Sequence, residues 1–201
     1  MMPPLGVILA GGRATRMGGG DKGLLPLGDG TILGHVIARL EPQVEDLALN
    51  ANGDPFRFSD FGLPVLADSV GGHVGPLAGV LAGLDWAAGL GASHVVSAAA
   101  DTPFFPADLV PRLQMAGEEQ GTPVVLARTD DGRHPTFGLW PVALREHLRQ
   151  SLNDGVRKVL AWTDIHGTGY ADFPTGDIDP FFNVNTPEDL DMAKAFMERA
   201  S

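Results

Sequence analysis

The 201-residue chain contains no cysteine. That absence removes disulfides, thiolate nucleophiles, iron–sulfur clusters and cysteine-ligated zinc, and it suits a cytoplasmic location. Basic residues are also scarce: 14 Lys and Arg stand against 25 Asp and Glu, for a formal net charge of −11. Proteins that grip duplex DNA or RNA carry a basic face, so no nucleic-acid partner is expected, and the acidity bears on solubility rather than fold. No stretch approaches the ~18 apolar residues of a membrane span. The opening MMPPLGVILAGG has no basic segment ahead of a long apolar run, so no secretory leader is expected either. Repeats are missing, and so is any linker long enough to divide the chain. A single domain over residues 1–201 is the expectation.

Glycine is what the chain has in quantity, 27 residues beside 16 prolines. Together they stay below the roughly 25–30% that marks low complexity, so the glycines are placed rather than diffuse. They concentrate in LAGGRATRMGGGDKG, Leu9 to Gly23, where six of fifteen residues are glycine and Arg13, Arg16, Asp21 and Lys22 carry charge. Bare backbone lets N–H groups approach an anion closely, and arginine and lysine neutralise it. A phosphate-bearing ligand follows. Two familiar phosphate loops do not fit. A Walker loop needs Gly-Lys-Ser/Thr, whereas Lys22 precedes Gly23. Gly18, Gly20 and Gly23 spell G-x-G-x-x-G, but they lie well beyond the strand that a dinucleotide fingerprint must follow directly.

Along the chain, short apolar runs alternate with helical patterns. LGVILA (5–10), DLALNAN, LPVLAD, SHVVSAAAD and TPVVLAR read as strands. TILGHVIARLEPQ, capped by Thr31, GPLAGVLAGLDWAAGLG and PADLVPRLQMAGEEQG read as helices, with Pro111 expected to shorten or bend the last. Beyond Arg128 the alternation loosens: RHPTFGLW as an extra strand, two helical stretches at ALREHLRQSL and GVRKVLAW, an extended PFFNVN. TPEDLDMAKAFMERA is a final helix with Thr186 as N-cap, Pro187 at its first position and Asp189 completing a capping box. This alternation predicts an α/β fold, a mostly parallel Rossmann-like sheet with helices on both faces. In such sheets ligands bind beyond the carboxyl ends of the strands. The polar residues there, Gly11 and Gly12, Asn50 and Asn52, Asp68 and Asp101, are expected to line one crevice. Taken singly, Asp68 and Asp101 also suit helix caps.

LAGGRATRMGGGDKGLLPL resembles the nucleotidyltransferase signature. LNAN, LADSVGGHVGPLAG, AADTPF, RHPTFGLW and FNVNTPEDL extend the match over almost the whole chain, and there it resembles the molybdenum cofactor guanylyltransferases. It departs from the family pattern at Ala99-Ala100, where relatives often carry a cysteine, and in the extra glycine of MGGGDK.

The resemblance implies a nucleotidyltransferase fold and transfer of GMP from GTP to the terminal phosphate of molybdenum-molybdopterin, with release of pyrophosphate. It also implies roles. Leu9, Ala10, Gly11 and Gly12 present backbone to the nucleotide. Arg16 and Lys22 hold the phosphates, and Asn50 and Asp68 contact the nucleoside. Asp101 carries Mg²⁺, with Mn²⁺ as the alternative cation. His134, Asn183 and Asn185 face the pterin side or, for the asparagines, the metal. Arg13 sits on the loop surface. Implied partners are GTP, molybdenum-molybdopterin, cofactor-insertion proteins and apo-molybdoenzymes. Three readings stay open: the guanylyltransferase; a relative using CTP on the same cofactor or another nucleotide on a sugar phosphate; and a GTP-binding protein without chemistry.

Overall fold

Strand β1 (Leu5–Leu9) is the centre from which the molecule is built. Its side chains alternate as a strand requires: Leu5 and Val7 enter one apolar cluster and Ile8 the other, on the opposite face of the sheet. A strand buried on both faces belongs inside a parallel sheet. A computed structural model describes residues 3–11, 21–71 and 75–200, and in it β1 pairs in parallel with β4 (Leu47–Asn50) on one side and β6 (His94–Ala99) on the other.

The remaining strands extend this core. A two-residue hairpin, β2 (Pro26–Leu27) and β3 (Gly30–Thr31), follows the glycine-rich stretch and stays outside the main sheet. β5 (Val65–Leu66) joins β4 in parallel. Past β6 the ten-residue β8 (Gly132–Pro141) runs antiparallel to both β6 and β7 (Val124–Thr129), and β9 (Thr168–Asp172) closes the far edge parallel to β7. The seven-stranded order is β5-β4-β1-β6-β8-β7-β9. β7 therefore points the same way as β1 and β6, and its carboxyl end reaches the same sheet edge as theirs.

Helices cover both faces, as the alternation predicts. α1 (Ile32–Leu40) and α3 (Leu109–Gln120) pack with Ile8, Leu49, Val96 and Phe137. α2 (Pro76–Gly89), α4 (Arg145–Asn153) and α5 (Val159–His166) pack on the other face around Val7, Val95, Trp140 and Trp162. The fully buried Trp140 donates its indole N–H to Ser97 Oγ at 2.8 Å, and Ser97 donates in turn to the Thr136 carbonyl at 2.8 Å. Leaving either buried group unpaired would cost about 1–3 kcal/mol. α6 (Pro187–Ala200) lies on the small hairpin, where Leu27, Ile32, Val184 and Ala193 form a third cluster.

Local signals place most boundaries. Thr31 Oγ1 accepts from Gly34 N at 3.0 Å and starts α1. Thr186 Oγ1 accepts from Asp189 N at 3.1 Å while Asp189 accepts from Thr186 N at 2.9 Å, the reciprocal capping box that the sequence spells. Three expectations need correcting. Pro111 does not interrupt α3; it occupies the third helical position, within the first turn, where its missing N–H has no intrahelical carbonyl to serve. β5 covers only two of the residues in LPVLAD. β6 stops at Ala99, two residues short of Asp101.

Candidate active site

At the carboxyl edge of β1 and β6 the chain leaves a crevice. Leu9, Ala10, Leu33, Phe58 and Ala100 give it apolar walls, and Asp21, Lys22 and Asp101 give it charge. Gly23 lies close under Leu33 and Ala100: a β-carbon there would sit 3.1 Å from Leu33 Cβ and 3.6 Å from the Ala100 carbonyl. The residue after Lys22 thus has to be small for the turn to lie this near the sheet.

Lys22 is the charged centre. Its Nζ donates to Asp101 Oδ2 at 2.8 Å and to Asn185 Oδ1 at 2.6 Å. The three residues come from a short 3₁₀ turn (Lys22–Leu24), from the loop after β6, and from the segment before α6. In that last segment Phe182 and Val184 pack into the hairpin cluster, whereas Asn183 and Asn185 bond to Thr102 and Lys22. The Val184 N–H donates to the Asp101 carbonyl at 2.8 Å, and Thr102 Oγ1 donates to Asn183 Oδ1 at 2.5 Å. Asp189 stands close by. Burial works against its charge, but backbone N–H groups of Asn185 and Thr186 and the charge of Lys22 outweigh that and hold its carboxyl below the ordinary value.

The β4 side carries a second polar group. Asn50, only 4% exposed, donates to the Leu66 carbonyl at 3.1 Å and to Asp68 Oδ1 at 3.0 Å. Asn52 donates to Asp68 Oδ2 at 2.8 Å and accepts from Asp68 N at 2.9 Å. β1 is tied to this group through Ala10 N, which donates to the Asn50 carbonyl at 2.8 Å, and a β-carbon on Gly11 would stand 4.0 Å from Asn50 Oδ1. Gly79 of α2 makes room for the arrangement: a β-carbon there would stand 2.2 Å from Asn50 Oδ1 and 2.7 Å from Leu9 Cδ2.

Of the residues named at the strand ends, Leu9, Ala10 and Asp101 line the crevice together with Lys22, whereas Asn50 and Asp68 form a separate polar group at the same carboxyl edge of the sheet. Asn185 reaches Lys22, and Asn183 reaches Thr102, from the segment before α6. Gly12, Arg13 and Arg16 lie outside the described residues. Neither aspartate is a helix cap: the N-cap of α2 is Gly75 and that of α3 is Asp108. His134 contacts neither Lys22 nor Asp101 among the interactions seen. Its ring stacks on Phe181 at 4.2 Å, and Nε2 lies 2.9 Å from Thr129 Oγ1. Burial pushes its pKa down, against the opposing pull of Asp179 and Asp131. Through Phe181 it braces the segment that carries Asn183.

Arg57 was not legible as part of the site. It lies in a seven-residue 3₁₀ segment (Pro55–Phe61) with no hydrophobic period to flag it, and its Nε donates to Asp21 Oδ2 at 2.5 Å. Thr102 carries no local signal either, since its partner Asn183 is 81 residues away.

A mostly parallel sheet with a lysine and a carboxylate meeting over its carboxyl edge defines a class: an α/β nucleotidyltransferase. Residues 6–167 match the family described as the MobA-like NTP transferase domain. The chain belongs to this family, alongside the curated molybdenum cofactor guanylyltransferases. It is 50% identical to the molybdenum cofactor guanylyltransferase of Mesorhizobium japonicum over 96% of this chain and 95% of the relative. It is 51% identical to that of Nitrobacter hamburgensis over 94% and 91% respectively. Among solved structures, a molybdopterin-guanine dinucleotide biosynthesis protein A from Archaeoglobus fulgidus superposes with a TM-score of 0.77, covering 97% of this chain and 99% of its own at 23% identity. A Mycobacterium tuberculosis protein solved as a manganese complex superposes with a TM-score of 0.68 at 20% identity, covering 96% of this chain and 99% of its own. These two likenesses show the fold.

Proposed function

We propose that one domain spanning the chain transfers GMP from GTP to the terminal phosphate of molybdenum-molybdopterin. The observation that carries this reading is the Lys22–Asp101 pair, 2.8 Å across the edge of the sheet, in a chain half identical to curated guanylyltransferases. An oxygen of the pterin phosphate forms a bond to the α-phosphorus of GTP. The bond from that phosphorus to the β-phosphate bridging oxygen breaks, and pyrophosphate leaves with the electron pair. Both reactants are anionic, so the protein has to offset charge and align them rather than supply a nucleophile.

Lys22 is suited to that task. An ammonium has three donors, and two serve Asp101 and Asn185 among the described residues. The third is available to a phosphate oxygen. Leu9, Ala10 and Gly11 bring backbone to the nucleotide, with Gly12 and Arg16 continuing the phosphate side. Asn50 and Asp68 are held rigid by their mutual hydrogen bond and by Asn52, as a group that reads a base edge needs to be. Asn183, Asn185 and His134 mark the pterin side.

The oxygens at this edge suit a small hard cation. Asp101 offers a carboxylate whose side chain is 25% exposed, next to amide oxygens of Asn183 and Asn185. Mg²⁺ is commonly held by one or two carboxylates plus substrate phosphates, and Mn²⁺ accepts the same donors. Asp101 would hold it, and when bound it would neutralise charge on the phosphates. The partners in this reading are GTP and molybdenum-molybdopterin, with insertion proteins and apo-molybdoenzymes receiving the product in the cytoplasm.

The test is pyrophosphate release with molybdopterin as acceptor and GTP, ATP or CTP as donor. GTP is expected to be strongly preferred, because a wrong base leaves buried polar groups unpaired. Equal turnover with all three, or tight GTP binding with no pyrophosphate, overturns the proposal.

A further inference from the structure

We propose that Arg57 is a positioning residue for triphosphate binding, which anchors Asp21, and with it the adjoining Lys22, to the nucleoside side of the crevice. The inference rests on the reading of Lys22 as a phosphate ligand given above. The guanidinium is committed at every nitrogen. Nε donates to Asp21 Oδ2 at 2.5 Å, Nη2 donates to the Asn52 carbonyl at 2.7 Å, and Nη1 donates to the Asp54 carbonyl. It also lies over the ring of Phe58, 4.5 Å from the centroid, and Phe58 is a buried wall of the crevice. A side chain so engaged is a poor ligand for substrate and a good brace.

The elements that it joins decide what it braces. Asp21 lies near the end of the glycine-rich stretch, and Lys22 follows it directly. Asn52, whose carbonyl Arg57 holds, exchanges two hydrogen bonds with Asp68 through its side chain. Asp54 caps the segment that carries Arg57, accepting from Phe56 N at 3.0 Å. One planar fork thereby links the start of the lysine turn to the Asn52–Asp68 group, across 36 residues of sequence. The Asp21–Arg57 pair is largely sheltered, with side chains 20% and 25% exposed, so salt screens it less than a surface pair. Lysine cannot replace arginine here. A point charge satisfies one acceptor well, whereas the fork serves three in fixed directions.

Releasing Asp21 would let the lysine turn drift, and displacements near 1 Å are costly in a site of this kind. The expected signature is selective. Arg57→Ala and Arg57→Lys should each raise the KM and Kd for Mg²⁺·GTP by about tenfold or more, in line with the loss of a charged hydrogen bond. The KM for molybdopterin should stay unchanged. Asp21→Asn should do the same, and the double variant should be no worse than the worse single, because both remove one brace. Arg57→Lys keeps a stem over Phe58 and a positive charge, so it carries the test if Arg57→Ala fails to fold. An unchanged GTP KM in a folded Arg57 variant, additive effects of the two substitutions, or an equal rise in both substrates' KM overturns the inference. Lys22→Ala, measured alongside, separates two failures. A crippled Lys22→Ala beside a normal Arg57→Lys overturns the brace alone. Normal turnover in Lys22→Ala overturns the phosphate reading and the brace with it.

Discussion

Asp101 shows how much a single residue's surroundings change its meaning. As a strand-end aspartate before Thr102-Pro103 it suits a helix cap or a ligand equally. In the fold its carboxylate meets Lys22, its carbonyl receives Val184, and α3 begins only at Leu109. Asp101→Asn keeps shape and removes charge. Turnover is expected to fall by about 10²–10³ and to need more Mg²⁺, since charge at the developing transition state is what would be lost. The ligand-free melting temperature should barely move, because Asn keeps a side-chain oxygen to which Lys22 Nζ can donate. Retained activity with an unchanged Mg²⁺ requirement would remove Asp101 from the metal role. Asn50, Asp68 and Asp101 could be placed at one sheet edge from the sequence because residue type and strand-end position both pointed the same way, and Lys22 could be singled out as a cation within the glycine-rich stretch. Arg57 could not. Its role is fixed by acceptors on Asp21, Asn52 and Asp54, which only the folded backbone brings around one guanidinium.

Among the elements, α2 carries the sharpest conflict between local preference and site geometry. Gly79 and Gly83 both lie inside the helix, where glycine costs ~1 kcal/mol relative to alanine. Each is needed for approach: a β-carbon on Gly83 would stand 2.9 Å from Val7 Cγ1, and one on Gly79 would strike the Asn50 amide. Gly79→Ala should therefore weaken GTP binding by displacing Asn50 from Asp68, despite its better helix propensity. Nucleotide titration of the folded variant checks this, and an unaltered Kd for GTP would show that Asn50 has room to shift. Helix ends such as Thr31 and Thr186 were legible because a cap is a contact between residues three apart. β9 was not, because TGYAD has little β-branched character and owes its place to pairing with β7 and to Gln120, which receives the Tyr170 N–H. The two-residue β5 likewise owes its limits to β4 rather than to its own sequence.

For the molecule as a whole, acid should be more damaging than mild alkali. His94, His134 and His166 all have pKa values below the ordinary 6.5, with burial the leading cause in each. The folded state then binds fewer protons than the unfolded chain once pH drops below about 6.5, so stability falls with further acidification and these groups leave it flat above neutrality. Thermal unfolding across pH 5 to 8 should show that bend. His134→Asn should lower the melting temperature throughout, through loss of the Phe181 stack, and make the acid limb shallower. An acid limb of identical slope would remove His134 from the cause. The layered α/β class follows from alternating patterns alone. The strand order does not, because β8 enters between β6 and β7 by antiparallel pairings that no local signal encodes.

The segment that delivers Asn183 and Asn185 has a consequence for how the protein is made. Lys22 and Asp101 leave the ribosome before Asn185, which follows Asp101 by 84 positions of chain. At the usual elongation rate of 5–20 residues per second, roughly 4–17 s separate them. For that interval the nascent chain holds its lysine and carboxylate without the asparagines that hem them in. The Lys22–Asn185 bond forms only once that segment has been made, so the crevice is completed well after its lysine and carboxylate are in place.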